Sequence, residues 1–96
     1  MRKGLPVVLT GDFNFTRDKD PYQVLIETGK ISLLDTAPSS PPGTACGFEV
    51  NSKKCNAIDY IFHTPELKAN NYKVITDNNG TYYPSDHLPV FVELSF

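Results

Sequence analysis

Three short stretches carry side chains suited to chemistry. YPSDHLPVF (83–91) sets Asp86 beside His87, with a proline on either flank. TGDFN (10–14) holds Asp12 and Asn14 two residues apart, and IDYIF (58–62) holds Asp59. An imidazole backed by a carboxylate is fixed in one tautomer and made more basic, which general acid–base catalysis requires. Asp59 is the candidate backer, because it sits in a strand whose two faces are largely apolar, where a carboxylate is costly without a donor. His87 is the expected donor. His63, before Thr64-Pro65 at a strand end, is expected to be exposed. Asp12 can take a metal or hold and deprotonate a water, and Asn14 can donate its amide protons to a developing anionic oxygen. Asp86 is left for a metal or a water. Each stretch alone also fits a plainer role: GDFN and SDH as surface turns, Asp59 as an edge-strand residue in solvent.

The elements that must position them can be read along the chain. The run 5–10 is continuous and apolar and closes on glycine, as a strand buried on both faces would. Asp20 is a good N-cap, Pro21 suits the first helical position and Gln23 completes a capping box. Tyr22, Leu25, Ile26 and Gly29 fall on one helical face, with Gly29 a natural stop. A short apolar segment, 31–34, ends at Asp35, and the proline- and glycine-rich stretch 38–47 is loop. Strands are expected at 47–50 and 57–63 around the polar turn 51–54, then at 72–76 and 88–96, with a turn at Asn78-Asn79-Gly80. In the last strand Leu88, Val90, Val92, Leu94 and Phe96 face one way. If that strand runs antiparallel to the first, its start meets the first strand's end. Two acids, an amide and an acid-backed imidazole then share one rim. Such hard oxygen donors with few nitrogens favour Mg2+ or Mn2+ over zinc, and suit metal-assisted hydrolysis of a phosphate ester. No serine or cysteine nucleophile is paired with a base in these stretches.

The bulk numbers narrow the class. A chain of 96 residues is at most one domain. With 40% hydrophobic and 21% charged residues it reads as globular. The net charge of -2, with Lys53-Lys54 the only basic pair after the N-terminus, shows no phosphate-backbone footprint. No apolar run approaches membrane-spanning length, and the start reads as a strand instead of a signal peptide. Cys46 and Cys55 match no zinc pattern. They flank an expected hairpin and so could be bridged, but two inert thiols are the plainer expectation.

In GDFN (11–14), IDYIF (58–62) and SDHLPV (85–90), in that order, the chain resembles the endonuclease/exonuclease/phosphatase superfamily. That group includes DNase I-like nucleases, abasic-site endonucleases, neutral sphingomyelinases, inositol-polyphosphate phosphatases and deadenylases. The order of strand, helix, then several strands reads as α+β or layered α/β, mostly antiparallel sheet with one main helix; the resemblance implies the C-terminal half (1–96) of a four-layer α/β sandwich, with a divalent metal at the top of two packed sheets. It implies that Asp12 activates or positions the attacking water and Asn14 stabilises the phosphoryl transition state. Asp59 would orient His87 at the scissile phosphate, and Asp86 would join Asp12 at the metal. The family's N-terminal half brings an early Asn or Asp, a metal-ligand glutamate and a His or Tyr at the phosphate, none of which has a counterpart here. The chain is therefore expected to be a piece of a longer protein. Its partners would be a phosphate-ester substrate (nucleic acid, phospholipid headgroup or sugar phosphate) and the missing half. Alone, it is expected to pair as a homodimer through the stripe Leu88, Val90, Val92 and Leu94. The rival reading is a non-catalytic module binding a phosphate-bearing ligand or a protein partner.

Overall fold

The computed structural model describes residues 5–27, 31–52 and 54–96. Its elements are β1 (Val8–Asp12), α1 (Asp20–Glu27), β2 (Leu34–Asp35), β3 (Asp59–His63), β4 (Lys68–Val74) and β5 (Val90–Ser95). They form two antiparallel sheets, one in the order β1-β3-β2 and the other the pair β4-β5.

Alternation along β3 decides where everything else goes. Tyr60 and Phe62 face one way and are buried, joining Leu33 as the core. Phe13, Phe15, Tyr22, Leu25, Ile26 and Ile31 pack against them. The rings interlock edge-on and stacked: Phe13 meets Phe62 at 5.6 Å between centroids, and Tyr60 stacks on Phe62 at 5.2 Å. The face of α1 expected from spacing is the face used, and α1 begins at Asp20. Gly29 lies outside the described residues, as does Lys53. An ion pair ties the core to the following loop. Arg17 Nε donates to Asp35 Oδ2 at 2.9 Å, and its other nitrogens donate to the carbonyls of Ala37 and Pro38. Tyr22 Oη donates to the same Asp35 oxygen at 3.1 Å.

The opposite face of β3 carries Asp59, Ile61 and His63, and β3 also contacts β5 of the second sheet. His63 is 4% exposed, against the expectation of an exposed strand end. It is paired on both sides, with Val8 of β1 and Leu34 of β2, so it lies in the middle of the sheet. Its Nδ1 lies 2.8 Å from the Thr64 carbonyl oxygen.

Several other expectations are corrected. β1 is not buried on both faces: it is an edge strand with β3 as its sheet partner, and Val8 and Leu9 remain 47% and 36% exposed. Residues 47–50 do not pair with 57–63; Glu49 bridges Tyr82 instead. Cys46 and Cys55 form a disulfide, not two inert thiols. β1 and β5 belong to different sheets, and the last strand contacts the three-stranded sheet through β3. The last strand is shorter than expected, Val90–Ser95; the alternation holds in it for Val90, Val92 and Leu94 and extends back to buried Leu88, but this stripe is the more buried one, and Phe96 is 88% exposed. The turn at 78–80 is as expected: Gly80 has φ +99° and its N–H donates to Asn78 Oδ1 at 2.8 Å.

Candidate functional site

Register brings the two acids together. Asp12, the last residue of β1, lies directly opposite Asp59, the first of β3. Facing residues of an antiparallel pair point to the same side, and two like charges there repel. His87 relieves the repulsion. Its Nδ1 lies 2.8 Å from Asp59 Oδ2, and its Nε2 lies 3.7 Å from Asp12 Oδ2. The carboxylate can only accept, so Nδ1 carries a proton and donates it to Asp59. The imidazole pKa is raised above the ordinary histidine value, first by this hydrogen bond and then by the charges of Asp59, Asp12 and Asp86, against a desolvation effect that lowers it. The three groups each offer one ligand atom, all within 4.8 Å of one another. Asp12 and Asp59 line an open cavity of about 360 Å3 whose walls also include Ile61, Leu88 and Pro89.

His87 is not on a strand. It is held by a single bridge to Ala45 and by bonds on either side: its own N–H donates to Ser85 Oγ at 3.2 Å, and the Leu88 N–H donates to the Thr44 carbonyl at 2.7 Å. Pro84 and Pro89 flank the segment, and Pro89 closes it by accepting from the Ile75 N–H at 2.8 Å.

Asn14 does not share an extended strand face with Asp12. The backbone does not stay extended: Asn14 has φ +58°, and its N–H donates to Asp12 Oδ1 at 2.9 Å. This is the local turn that Asp and Asn form readily. It occupies one Asp12 oxygen and leaves Oδ2 toward His87. Phe13, between them, drops into the aromatic core. Asp86 does not join the cluster. It is exposed; its backbone carbonyl accepts from the Cys46 N–H at 3.1 Å, and its Oδ1 accepts from Ser85 Oγ at 3.5 Å. Among the described residues the structure thus assembles Asp12, Asp59 and His87, keeps Asn14 adjacent, and leaves Asp86 at the side.

Thr44 carries no motif and was not singled out from the sequence. It is fully buried, and its hydroxyl accepts from the N–H groups of Ile58 and Asp59, each at 3.2 Å. A threonine just after a proline-glycine run is the faint signal that marked it; nothing local says that it will reach Asp59.

The model of the family described as "Endonuclease/Exonuclease/phosphatase family" matches residues 2–87. No curated protein matches the chain significantly. Among solved structures, it resembles a mannosyl-6-phosphatase from Bacteroides thetaiotaomicron, with 32% identity and a TM-score of 0.77 over 98% of this chain and 39% of that one. It also resembles an endonuclease/exonuclease/phosphatase family protein from the same organism, with 32% identity and a TM-score of 0.76 over 96% of this chain and 36% of that one. The chain therefore spans less than two-fifths of either solved relative.

Proposed function

The chain belongs to the endonuclease/exonuclease/phosphatase family, and from that premise we propose that its site hydrolyses a phosphate ester, with Asp59–His87 as the acid–base and phosphate-contacting pair. The family is one of phosphoesterases, and the mannosyl-6-phosphatase likeness fits that chemistry. The observation that carries the proposal is the imidazole held between two carboxylates, with one nitrogen on each. Asp59 fixes the ring and its tautomer. A protonated His87 presents a positive charge and a donor to a phosphate oxygen. Asp12, on the solvent side, holds the water that attacks phosphorus and accepts its proton. Asn14, two residues on, offers its amide to the anionic oxygens.

A divalent cation, Mg2+ or Mn2+, belongs to this proposal, and the donor set fits it in part. Asp59 Oδ2 and His87 Nδ1 are engaged with one another, so Asp12 is the carboxylate that would hold the ion. Asp86 is outside the Asp12–Asp59–His87 group, but its charge reaches His87, and it is the second carboxylate proposed for the ion. Mg2+ favours near-octahedral oxygen coordination, so water, substrate phosphate and residues beyond these would complete the shell. When bound, the ion neutralises phosphate charge and makes water a better nucleophile.

The likeness to a sugar phosphatase favours a sugar phosphate over nucleic acid or a phospholipid headgroup. The net charge of -2 likewise gives little pull on a polyanion. The test is phosphate release from mannose 6-phosphate and from bis-p-nitrophenyl phosphate, with Mg2+ or Mn2+ titrated, by this chain alone and with an N-terminal half added. Metal-dependent turnover lost in Asp12→Ala and His87→Ala supports the proposal. Turnover in neither setting favours a non-catalytic module that binds a phosphate-bearing ligand.

A further inference from the structure

Residues 44–46 run as a thread between the two segments that carry the site. Toward 56–59, the Thr44 and Ala45 N–H groups both donate to the Asn56 carbonyl, at 3.0 and 2.9 Å. The Thr44 hydroxyl donates to that carbonyl at 3.2 Å while accepting from the Ile58 and Asp59 N–H groups. This uses the hydroxyl's one proton and both lone pairs. Toward 86–88, the Thr44 carbonyl accepts from Leu88, Ala45 bridges His87, and the Cys46 N–H donates to Asp86. Thr44 therefore bonds the backbone of Asp59 on one side and the residue after His87 on the other.

This thread belongs to none of the five strands. Each tie to 86–88 is a single bond or an isolated bridge, with no ladder to share the load. The disulfide from Cys46 to Cys55 adds a covalent cross-link between the thread and the segment leading to Asp59. The fit there is close: a Cβ on Gly43 would lie 2.6 Å from the Cys55 carbonyl oxygen. Cys46 is buried, but Cys55 is exposed, so a soluble thiol can reach the bridge from that side.

We propose that Thr44 and the Cys46–Cys55 disulfide are positioning elements of the site, holding Asp59 against His87, so that the pair is aligned only while the bridge is intact. An external dithiol opens it by thiol–disulfide exchange. The Sγ–Sγ bond breaks, Cys46 and Cys55 gain two electrons and two protons between them, and the dithiol is oxidised to its own disulfide. The thread then hangs on its backbone bonds, and the separation of the two segments is no longer set. The consequence for catalysis rests on the function proposed above, but the alignment itself does not.

The experiment reads the alignment without substrate. In the full chain labelled with 15N-histidine, the His87 Nδ1 proton is followed by NMR before and after dithiothreitol, with far-UV circular dichroism and a thiol count beside it. The expected result is a hydrogen-bonded Nδ1–H signal in the oxidised chain. After reduction, with secondary structure retained, it is lost or exchanges at least about tenfold faster, as one lost hydrogen bond implies. Thr44→Val, with the disulfide intact, is expected to behave like the reduced chain, and Thr44→Ser like the parent. An unchanged signal in a folded chain with two free thiols overturns the proposal. So does a Thr44→Val signal equal to that of Thr44→Ser, which also decides the matter if reduction unfolds the chain. A chain that passes these tests yet hydrolyses nothing refutes the proposed function and leaves the alignment standing.

Discussion

His87 is where the separate parts of the site meet, and its behaviour is testable on its own. Its pKa is raised chiefly by the bond to Asp59. Replacing that acid by an amide, Asp59→Asn, is expected to lower the histidine pKa toward the ordinary value of about 6.5, read from imidazole chemical shifts in metal-free buffer. The sign for stability follows. A raised folded-state pKa means that the native state binds the proton more tightly than the unfolded chain does. The stabilisation is complete below about pH 6.5 and is lost as pH rises through the folded value. The stability gap between the parent and His87→Gln should therefore narrow with rising pH across that window. In whichever form turns over substrate, the chain alone or with an N-terminal half added, His87→Ala and Asp12→Ala are each expected to lower kcat by roughly a hundredfold or more, with the fold retained. Near-parental turnover in either variant removes that residue from the chemistry.

Among the elements, β3 does the most. One face builds the aromatic core and the other carries Asp59, so a two-residue repeat divides packing from chemistry. The core face has a titration signature. Tyr60 is 5% exposed, and its hydroxyl donates to the Phe15 carbonyl at 2.7 Å. Burial first, and then the nearby Asp35 charge, raise its pKa to about 12. The folded state thus keeps the neutral phenol after the unfolded chain, near its ordinary value of about 10, has begun to lose the proton. Stability is expected to fall as pH climbs from about 10 toward 12. Tyr60→Phe should flatten that part of the denaturation profile, and a profile unchanged by the substitution would mean another group is responsible. Gly43, just before the thread 44–46, has its own mutational signature. Gly43→Ala places a methyl against the Cys55 backbone, where the segment must shift. A thermal midpoint equal to the parent's would show that the contact is not tight.

At the scale of the whole molecule, the chain leaves much apolar surface open. Leu5, Val8, Leu34 and Phe48 are 52%, 47%, 46% and 55% exposed. Fully burying a side chain of this kind is worth roughly 1.5–3 kcal/mol, and a small domain's total margin is about 5–15 kcal/mol. We propose self-association through this open apolar surface. The open groups are those of the edge strand β1, of β2 and of the loop at 48, not the Leu88–Leu94 stripe. The 96-residue chain is expected to scatter light as a species heavier than 10.7 kDa at micromolar concentration. Val8→Lys on the β1 edge should shift it toward the monomer mass. A parental chain that is folded and monomeric would refute this.

How far the sequence alone carries differs from residue to residue. The three motifs, the helix at Asp20, the turn at 78–80 and the division of Asp59 and Ile61 from Tyr60 and Phe62 were all readable in advance. Each is a matter of neighbouring residues: a period of two or of 3.6, a capping residue, a glycine at positive φ. Even the Asp59–His87 pairing could be anticipated, because a carboxylate on an apolar strand needs a donor and few were available. The rest depends on residues far apart in the chain. That Asp12 faces Asp59 is a matter of register between strands nearly fifty positions apart. That His63 is buried follows from β3 being central, and that β1 is exposed follows from its place at the edge. The disulfide and the bonds of Thr44 require 44–46 to pass between 55–59 and 86–88, and no local pattern encodes that path. Local propensity sets what each segment becomes; which segments become neighbours is decided by packing that satisfies buried backbone and apolar faces together.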